Sequence, residues 1–212
     1  MYRFAILPVL ALISSVAFAA PAKYVIDASH PKMAFAVKHL MISDVTGEFK
    51  DFEGSFQFDE KAGVVSDATF SAKTASINTG NTKRDEHLQS ADFFDAAKNP
   101  TITLTNSKIK KAGKNKYKWT ADLNMHGVTK PVTFDLEHKG TAKDGWGNTV
   151  AAFQAKATIK RSDWGLTWNK ALEAGGVTVS DEVRLTLDAE AKMDAPAAGA
   201  AAPAATATPA KK

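Results

Sequence analysis

Apolar and polar residues alternate with a period of two over most of the sequence, and this alternation limits the chain to β-structure. The clearest segment runs from Tyr117 to Met125, where every second side chain is apolar and the residues between are polar. After a short turn the alternation continues from Val132 to Leu136. Side chains at i and i+2 point to the same side of a strand, so the two segments predict a hairpin with one buried face.

Other segments carry the same alternation and are predicted as further strands. They are residues 24–27, 33–39, 64–73, 102–109, 151–159 and 183–189. The apolar parity switches between Phe49 and Phe52, because Phe52, Phe56 and Phe58 share a face that Phe49 does not. This switch predicts a bulge or a sharp bend, an irregularity that curves a sheet toward closure.

One segment, residues 81–99, shows no alternation. Its central run from Arg84 to Ala91 suits a short helix, ended by the loop before Pro100. About eight antiparallel strands, each with one apolar face, must bury those faces in a sandwich or a closed barrel. The alternation does not choose between the two, but the bend, the helix and the inward aromatic side chains favour the barrel. We therefore predict an all-β fold, an antiparallel eight-stranded barrel with a short helical segment covering one end.

The amino-terminal end has the pattern of an export signal. An apolar run from Phe4 to Val16 is followed by Ala17-Phe18-Ala19, the small-x-small pattern of a secretory cleavage site. The run is shorter than a membrane-spanning helix requires, which disfavours a retained anchor. We expect residues 1–19 to be a cleaved signal peptide and the mature protein to be periplasmic.

Residues 194–212 are predicted to form a disordered tail. Ten alanines and three prolines lie between Ala195 and Lys212, with no large apolar side chain that could dock on a core. A spacer or surface tether is the functional alternative for such a segment. The folded domain is then expected over residues 20–193.

Charge and cysteine content exclude several classes of protein. Of the 27 Lys and Arg residues, Arg3, Lys211 and Lys212 lie in the ends, so residues 20–194 carry 24 basic against 23 acidic residues. This balance is not the basic footprint of a nucleic-acid-binding protein. The chain has no cysteine, which excludes disulfides, thiolate nucleophiles, iron-sulfur clusters and cysteine zinc sites.

Motifs for catalysis are sparse. The sequence contains no phosphate-binding glycine loop, serine nucleophile elbow or paired-histidine zinc helix. Arg84-Asp85-Glu86-His87 places an acid, a base and a cation together and is the candidate proton-transfer group. Charges in the first turn of a helix more commonly serve capping and solubility. We expect no cofactor and no metal, since histidines in such a sequence are more commonly surface or hydrogen-bonded residues.

The inward aromatic side chains have two interpretations. They can form a filled core, which composition alone favours, or the lining of an apolar pocket. The residues concerned are Phe35, Phe56, Phe70, Trp119, Phe134 and Phe153.

Several blocks of sequence, in a fixed order, carry a family likeness. They are Tyr24–Asp27, Phe35–Leu40, Val45–Phe49, Arg84–Asp95 and His126–Val132. In these blocks the chain resembles the YceI-like polyisoprenoid-binding family, from Lys23 to about Met193. The resemblance implies a lipocalin-like barrel in the bacterial periplasm, with an apolar tunnel for a polyisoprenoid chain such as an isoprenyl diphosphate or a quinone tail. It implies no cofactor-dependent chemistry.

We therefore predict a periplasmic carrier for an isoprenoid lipid, without turnover. The alternatives are an enzyme that uses the Arg84–His87 cluster on a hydrophobic substrate, and a ligand-free stress or interaction barrel. We expect no nucleic acid partner and no membrane span after leader cleavage. The sequence does not decide whether the protein forms a homodimer. The predicted apolar lining is Phe35, Val37, Phe56, Phe70, Trp119, Leu123, Phe134, Leu136, Phe153 and Leu185. The predicted mouth residues are His39, Arg84 and His87.

Overall fold

A computed structural model describes residues 21–27, 32–173 and 175–194, and the predicted leader and residues 195–212 lie outside this part of the chain. Within it the chain forms eleven strand segments, one α-helix and two short 3-10 helices, Thr74–Ser76 and Arg161–Trp164. The helix α1 is Thr82–Gln89. The strands are β1 Ala22–Ile26, β2 Lys32–His39, β3 Ser43–Phe49, β4 Phe52–Asp59, β5 Val64–Lys73, β6 Ile77–Asn78, β7 Thr101–Gly113, β8 Lys116–Met125, β9 Val128–Lys143, β10 Thr149–Lys160 and β11 Val179–Met193.

The eleven segments build a closed barrel of eight antiparallel strands. Both β1 and β2 pair with the same edge of β11, β1 with residues 191–193 and β2 with residues 179–188, so together they act as one interrupted strand. In the same way β4 pairs with β1 while β3 pairs with β2, and β5 and β6 pair with β4 and β3. Strands β7 to β11 continue the meander, and β11 closes it against β1. The predicted eight-stranded barrel is confirmed.

The predicted bend between Phe49 and Phe52 is confirmed and is a corner between β3 and β4. The backbone N–H of Lys50 donates to the Ser76 carbonyl (3.2 Å), and the Asp51 carbonyl accepts from the Lys73 N–H (2.8 Å). Because the chain turns here, Phe49 is buried although its parity differs from that of the buried residues in β4.

The inward face of β8 is the one predicted by the alternation. Tyr117, Trp119, Ala121, Leu123 and Met125 are all buried. The Trp119 ring stacks on that of Phe134, its cross-strand partner, with 4.8 Å between centroids. Its indole Nε1 donates to Ser107 Oγ (2.9 Å), so the one polar atom of this core side chain is satisfied.

Helix α1 lies at one end of the barrel, here called the mouth end. This end also carries the β2–β3 turn, the β8–β9 turn and the segment between β10 and β11. The Asn81 side chain caps the helix by accepting from the Arg84 N–H (3.1 Å). The helix begins and ends two residues earlier than the predicted run from Arg84 to Ala91. None of the helices in the described residues is long and apolar enough to cross a membrane.

Candidate functional site

A cavity of about 250 Å³, the large cavity, occupies the mouth half of the barrel. Strand residues that point inward form most of its wall, and they come from both sides of the barrel because the sheet is closed. Those wall residues are Met33, Phe35, Val37, Val45, Phe49, Ile102, Leu123, Met125, Ile159, Val179, Val183 and Leu185.

Helix α1 and the segment between β10 and β11 form the roof of the large cavity. The His87 ring lies edge-on to Phe93 (5.1 Å between centroids) and to Trp168 (5.0 Å). His87 Nε2 is 2.9 Å from Asp92 Oδ2, which holds the imidazole at the edge of the roof. The sequence analysis missed Trp168, because its segment has no strand alternation. An aromatic residue among polar and glycine residues was the available signal.

The polar groups that line the large cavity are threonine, histidine and arginine side chains. They are His39, Thr79, Arg84, His87, Arg161 and Thr178, and no carboxylate of the described residues lines it. Arg84 is held against the end of β6, because its Nε donates to Thr79 Oγ1 (2.7 Å) and its Nη2 to the Thr79 carbonyl (2.9 Å). The three predicted mouth residues, His39, Arg84 and His87, therefore all lie at this cavity.

Arg161 is the functional candidate that the sequence analysis did not name. It is 6% exposed, and its Nε donates to the Ser180 carbonyl (3.0 Å) while Nη1 donates to the Leu166 carbonyl. Burial lowers the pKa of Arg161, and the negative charge of Asp181 opposes this only in part. The signal was present: the alternation of residues 151–159, extended by two, places residue 161 on the inward face.

A second, small cavity of about 20 Å³ lies in the other half of the barrel. Among its wall residues are five of the predicted lining residues: Phe56, Phe70, Trp119, Leu136 and Phe153.

The structure thus divides nine of the ten predicted lining residues between the two cavities. Phe35, Val37, Leu123 and Leu185 line the large cavity, and fully buried Phe134 lines neither. Large aromatic rings that contact one another fill the far half, which is why those positions leave so little space there.

Residues 24–191 match the YceI-like domain, a range that contains every residue lining either cavity. The chain belongs to the YceI-like family. Protein YceI of Escherichia coli O6:H1 is 40% identical over 157 residues, which cover 73% of this chain and 82% of that protein. The resemblance in the sequence blocks is therefore confirmed.

Solved structures share the barrel. The YceI protein of Campylobacter jejuni superposes with a TM-score of 0.66 at 37% identity, covering 74% of this chain and 90% of its own. A polyisoprenoid binding domain from Saccharophagus degradans, implicated in plant cell wall breakdown, superposes with a TM-score of 0.58 at 16% identity. That similarity covers 82% of this chain and 99% of the Saccharophagus domain, and it shows a shared fold.

In this YceI-like barrel the Arg84–His87 cluster does not converge on one point. Asp85 accepts from the Thr79 N–H (2.9 Å) and from Thr79 Oγ1 (2.6 Å), whereas His87 contacts Asp92 instead. Acid and base are thus engaged with different partners. The described residues contain no group of three His, Asp or Glu side chains placed to hold a metal ion.

Proposed function

We propose that the protein is a periplasmic carrier that holds a polyisoprenoid lipid in the large cavity. The observation that carries this proposal is a closed barrel with an apolar cavity at one end, roofed by aromatic side chains and rimmed by polar groups. Such an arrangement can enclose hydrocarbon while a head group stays at the rim.

The size of the large cavity sets how much of a ligand it encloses. A cavity of about 150 Å³ takes up a benzene molecule, so 250 Å³ encloses on the order of ten carbons. Burying them contributes about 8 kcal/mol before the cost of ordering the ligand. A longer chain requires the side chains between the two cavities to move. Leu104 is one of them, since it lies between Phe70 and Leu123 across neighbouring strands.

The comparisons support the chemical class of the ligand. The Saccharophagus barrel is a polyisoprenoid binding domain, and isoprenyl diphosphates and isoprenoid quinones are the two ligand types that we carry forward. The periplasmic location is proposed from residues 1–19, whose apolar run and Ala17-Phe18-Ala19 pattern are those of an export signal.

Native mass spectrometry of the protein purified from its own periplasm tests the proposal. We expect a bound isoprenoid, a mature amino terminus at Ala20, and release of the lipid when the barrel unfolds. Protein that is recovered intact from the periplasm and never carries a lipid would support the ligand-free interaction barrel instead. Cell fractionation that finds the mature chain elsewhere would contradict the location.

The His87→Ala variant separates the carrier from the enzyme alternative. His87 touches the roof and Asp92, so its loss removes one contact at the rim, worth on the order of 1 kcal/mol. We expect the affinity for an isoprenoid, measured by titration, to change by less than about tenfold. Chemical conversion of the lipid by the wild type, abolished in His87→Ala, would show that the protein is an enzyme.

A further inference from the structure

Arg161 is a buried cation, and its hydrogen bonds to described residues use two of its three guanidinium nitrogens. Its Nε and Nη1 donate to the carbonyls of Ser180 and Leu166, while Nη2 donates to no described residue. Every fully enclosed polar side-chain atom of the described residues has a hydrogen-bond partner, so Nη2 is not fully enclosed. Arg161 is 6% exposed and is one of the residues that line the large cavity.

No described carboxylate neutralises Arg161 by direct contact. Asp181, whose charge acts on Arg161, accepts instead from the Ser162 N–H (2.9 Å) and from Ser162 Oγ (2.8 Å). Arg161 takes part in none of the ion pairs within 4.0 Å among the described residues, in contrast to Arg184, which pairs with Asp44 (3.0 Å). A buried guanidinium loses the hydration of its charge, and without a carboxylate partner no ion pair offsets this desolvation cost.

The other polar groups at the cavity also bring no negative charge that could neutralise Arg161. The Thr79 and Thr178 hydroxyls donate to Asp85 and to the Lys170 carbonyl, so both are already engaged. The remaining polar lining consists of arginine and histidine side chains. A ligand that brings hydrogen-bond acceptors and negative charge would satisfy Nη2 and neutralise Arg161, whereas a neutral head group supplies only the former.

We propose that Arg161 binds an anionic phosphate or diphosphate head group, so that the large cavity selects phosphorylated isoprenoids over isoprenoid alcohols and quinones. This inference rests on the proposed carrier function and names its ligand class. The two carbonyl contacts hold the guanidinium plane in place, which leaves Nη2 directed to the ligand without a further ordering cost. The tail then occupies the apolar wall below.

The test compares two ligands with the same tail, farnesyl phosphate and farnesol, by calorimetric titration of the full mature chain. We expect the phosphate to bind the wild type about 10- to 100-fold more tightly, the range of a charge-assisted hydrogen bond. In Arg161→Gln this preference should fall to within about threefold, while Arg161→Lys keeps part of it. Arg184→Gln, which removes an arginine from the outer face of β11, is the matched control and should keep the full preference.

The ratio of the two affinities distinguishes a head-group contact from a purely architectural role. If Arg161→Gln weakens both ligands by the same factor, Arg161 only holds the backbone of the roof and the inference is wrong. Equal binding of phosphate and alcohol by the wild type also overturns it, yet leaves the carrier function standing. Binding of neither ligand contradicts the proposed function itself.

Two further arms keep the test decisive. Inorganic diphosphate is titrated alone, and binding as tight as that of farnesyl phosphate would show a free-anion site in place of a lipid head-group site. Circular dichroism and thermal unfolding check that each variant folds. If Arg161→Gln does not fold, the comparison rests on the ratio of farnesyl phosphate affinity to farnesol affinity in the wild type and in Arg161→Lys. A folded Arg161→Lys variant with the same ratio as the wild type overturns the assigned contact.

Discussion

Single side chains of the barrel are sorted by the alternation into those that pack inside and those that meet solvent. On β8 the sorting is complete, with Trp119 2% exposed between neighbours that face outward. The same rule, applied beyond Ile159, places Arg161 inside. An inward arginine conflicts with the cost of burying a charge, and this conflict is the reason why we propose a role for Arg161 in ligand binding.

Trp119→Asp tests the inward register. A carboxylate at this position would be buried without a partner, and the stacking on Phe134 and the hydrogen bond to Ser107 would be lost. We expect the free energy of unfolding to fall by at least about 3 to 5 kcal/mol, measured by chemical denaturation, or the protein not to fold.

Thr120→Asp is the matched control for this substitution. Thr120 lies next to Trp119 on the outer face and shares a hydrogen bond with Thr133 (2.9 Å). Its change should cost no more than about 1 kcal/mol. Similar unfolding energies for the two variants would mean that the register of β8 is inverted.

At the scale of neighbouring elements, Phe35 of β2 packs against Gly47 of β3. Gly47 is the cross-strand partner of Phe35, and a Cβ atom at Gly47 would lie 2.4 Å from Phe35 Cζ and 2.8 Å from Thr79 Cγ2. The absence of a side chain therefore lets the Phe35 ring lie against β3, where it forms part of the wall of the large cavity. The sequence analysis predicted Phe35 as lining but had no basis for this pairing, because register across a turn is not visible in the alternation.

Gly47→Ala should narrow the large cavity. The new methyl group pushes the Phe35 ring away from β3, and the open space lies on the cavity side. We expect the affinity for farnesol to fall about tenfold, or ~1.4 kcal/mol, with the free energy of unfolding lowered by about 1 kcal/mol from overpacking. Calorimetric titration and chemical denaturation measure the two effects.

Gly113→Ala provides the comparison for Gly47→Ala. Gly113 ends β7 at the far end of the barrel, and a Cβ atom there would meet only Lys116 Cβ at 3.8 Å. Stability and farnesol affinity should both stay close to those of the wild type. If Gly47→Ala behaves in the same way, Phe35 does not depend on the gap at Gly47.

The elements that the sequence predicted well are those with local causes. Strand period, the corner at Phe49 to Phe52 and the helix after Asn81 all follow from side chains within a few residues of one another. The segment between β10 and β11 was not predicted, because Trp168 finds its place only through His87 and Phe93, far away in the sequence. Contacts of this range depend on the closed sheet.

At the scale of the whole molecule, the division of the interior into two cavities was the main departure from expectation. The alternation predicts which side chains point inward but not how completely they fill the space. Rings in the far half pack against one another, as Phe58 and Phe153 do with 5.2 Å between centroids, and the cavity stays open where the rings are fewer. Volume is a property of the assembled barrel, so no local pattern reports it.

The barrel closes where β11 pairs with β2 and with β1, and the β1 part of this closure is a short seam. Three pairs join the strands, with Tyr24 opposite Met193 at one end and Ile26 opposite Ala191 at the other. The Asp194 N–H donates to the Lys23 carbonyl (2.8 Å), so Asp194 belongs to the seam and not to the predicted tail.

An ion pair between Lys192 Nζ and Asp27 Oδ2 (2.8 Å) accompanies the seam. The hydrogen bond to Asp27 raises the pKa of Lys192. The stability that protonated Lys192 contributes is thus fully present below the ordinary lysine pKa of about 10.5. It is lost only as the pH rises above that value, through the raised pKa of Lys192.

Deleting residues 195–212 tests whether the barrel is complete at the seam. The segment has too little apolar surface to offset an ordering cost of roughly 1 to 2 kcal/mol per residue, so we expect it to contribute nothing to the folded state. The melting temperature should stay within about 2 °C of that of the full chain, and farnesol affinity should not change.

Deleting residues 191–212 instead removes all three seam pairs and uncovers Tyr24 and Ile26, which are buried beneath them. That loss of at least about 3 kcal/mol should lower the melting temperature by roughly 6 to 12 °C. If the shorter deletion alone lowers the melting temperature by several degrees or releases the ligand, residues 195–212 contribute to the barrel or its mouth end. The seam would then not be where the folded structure ends.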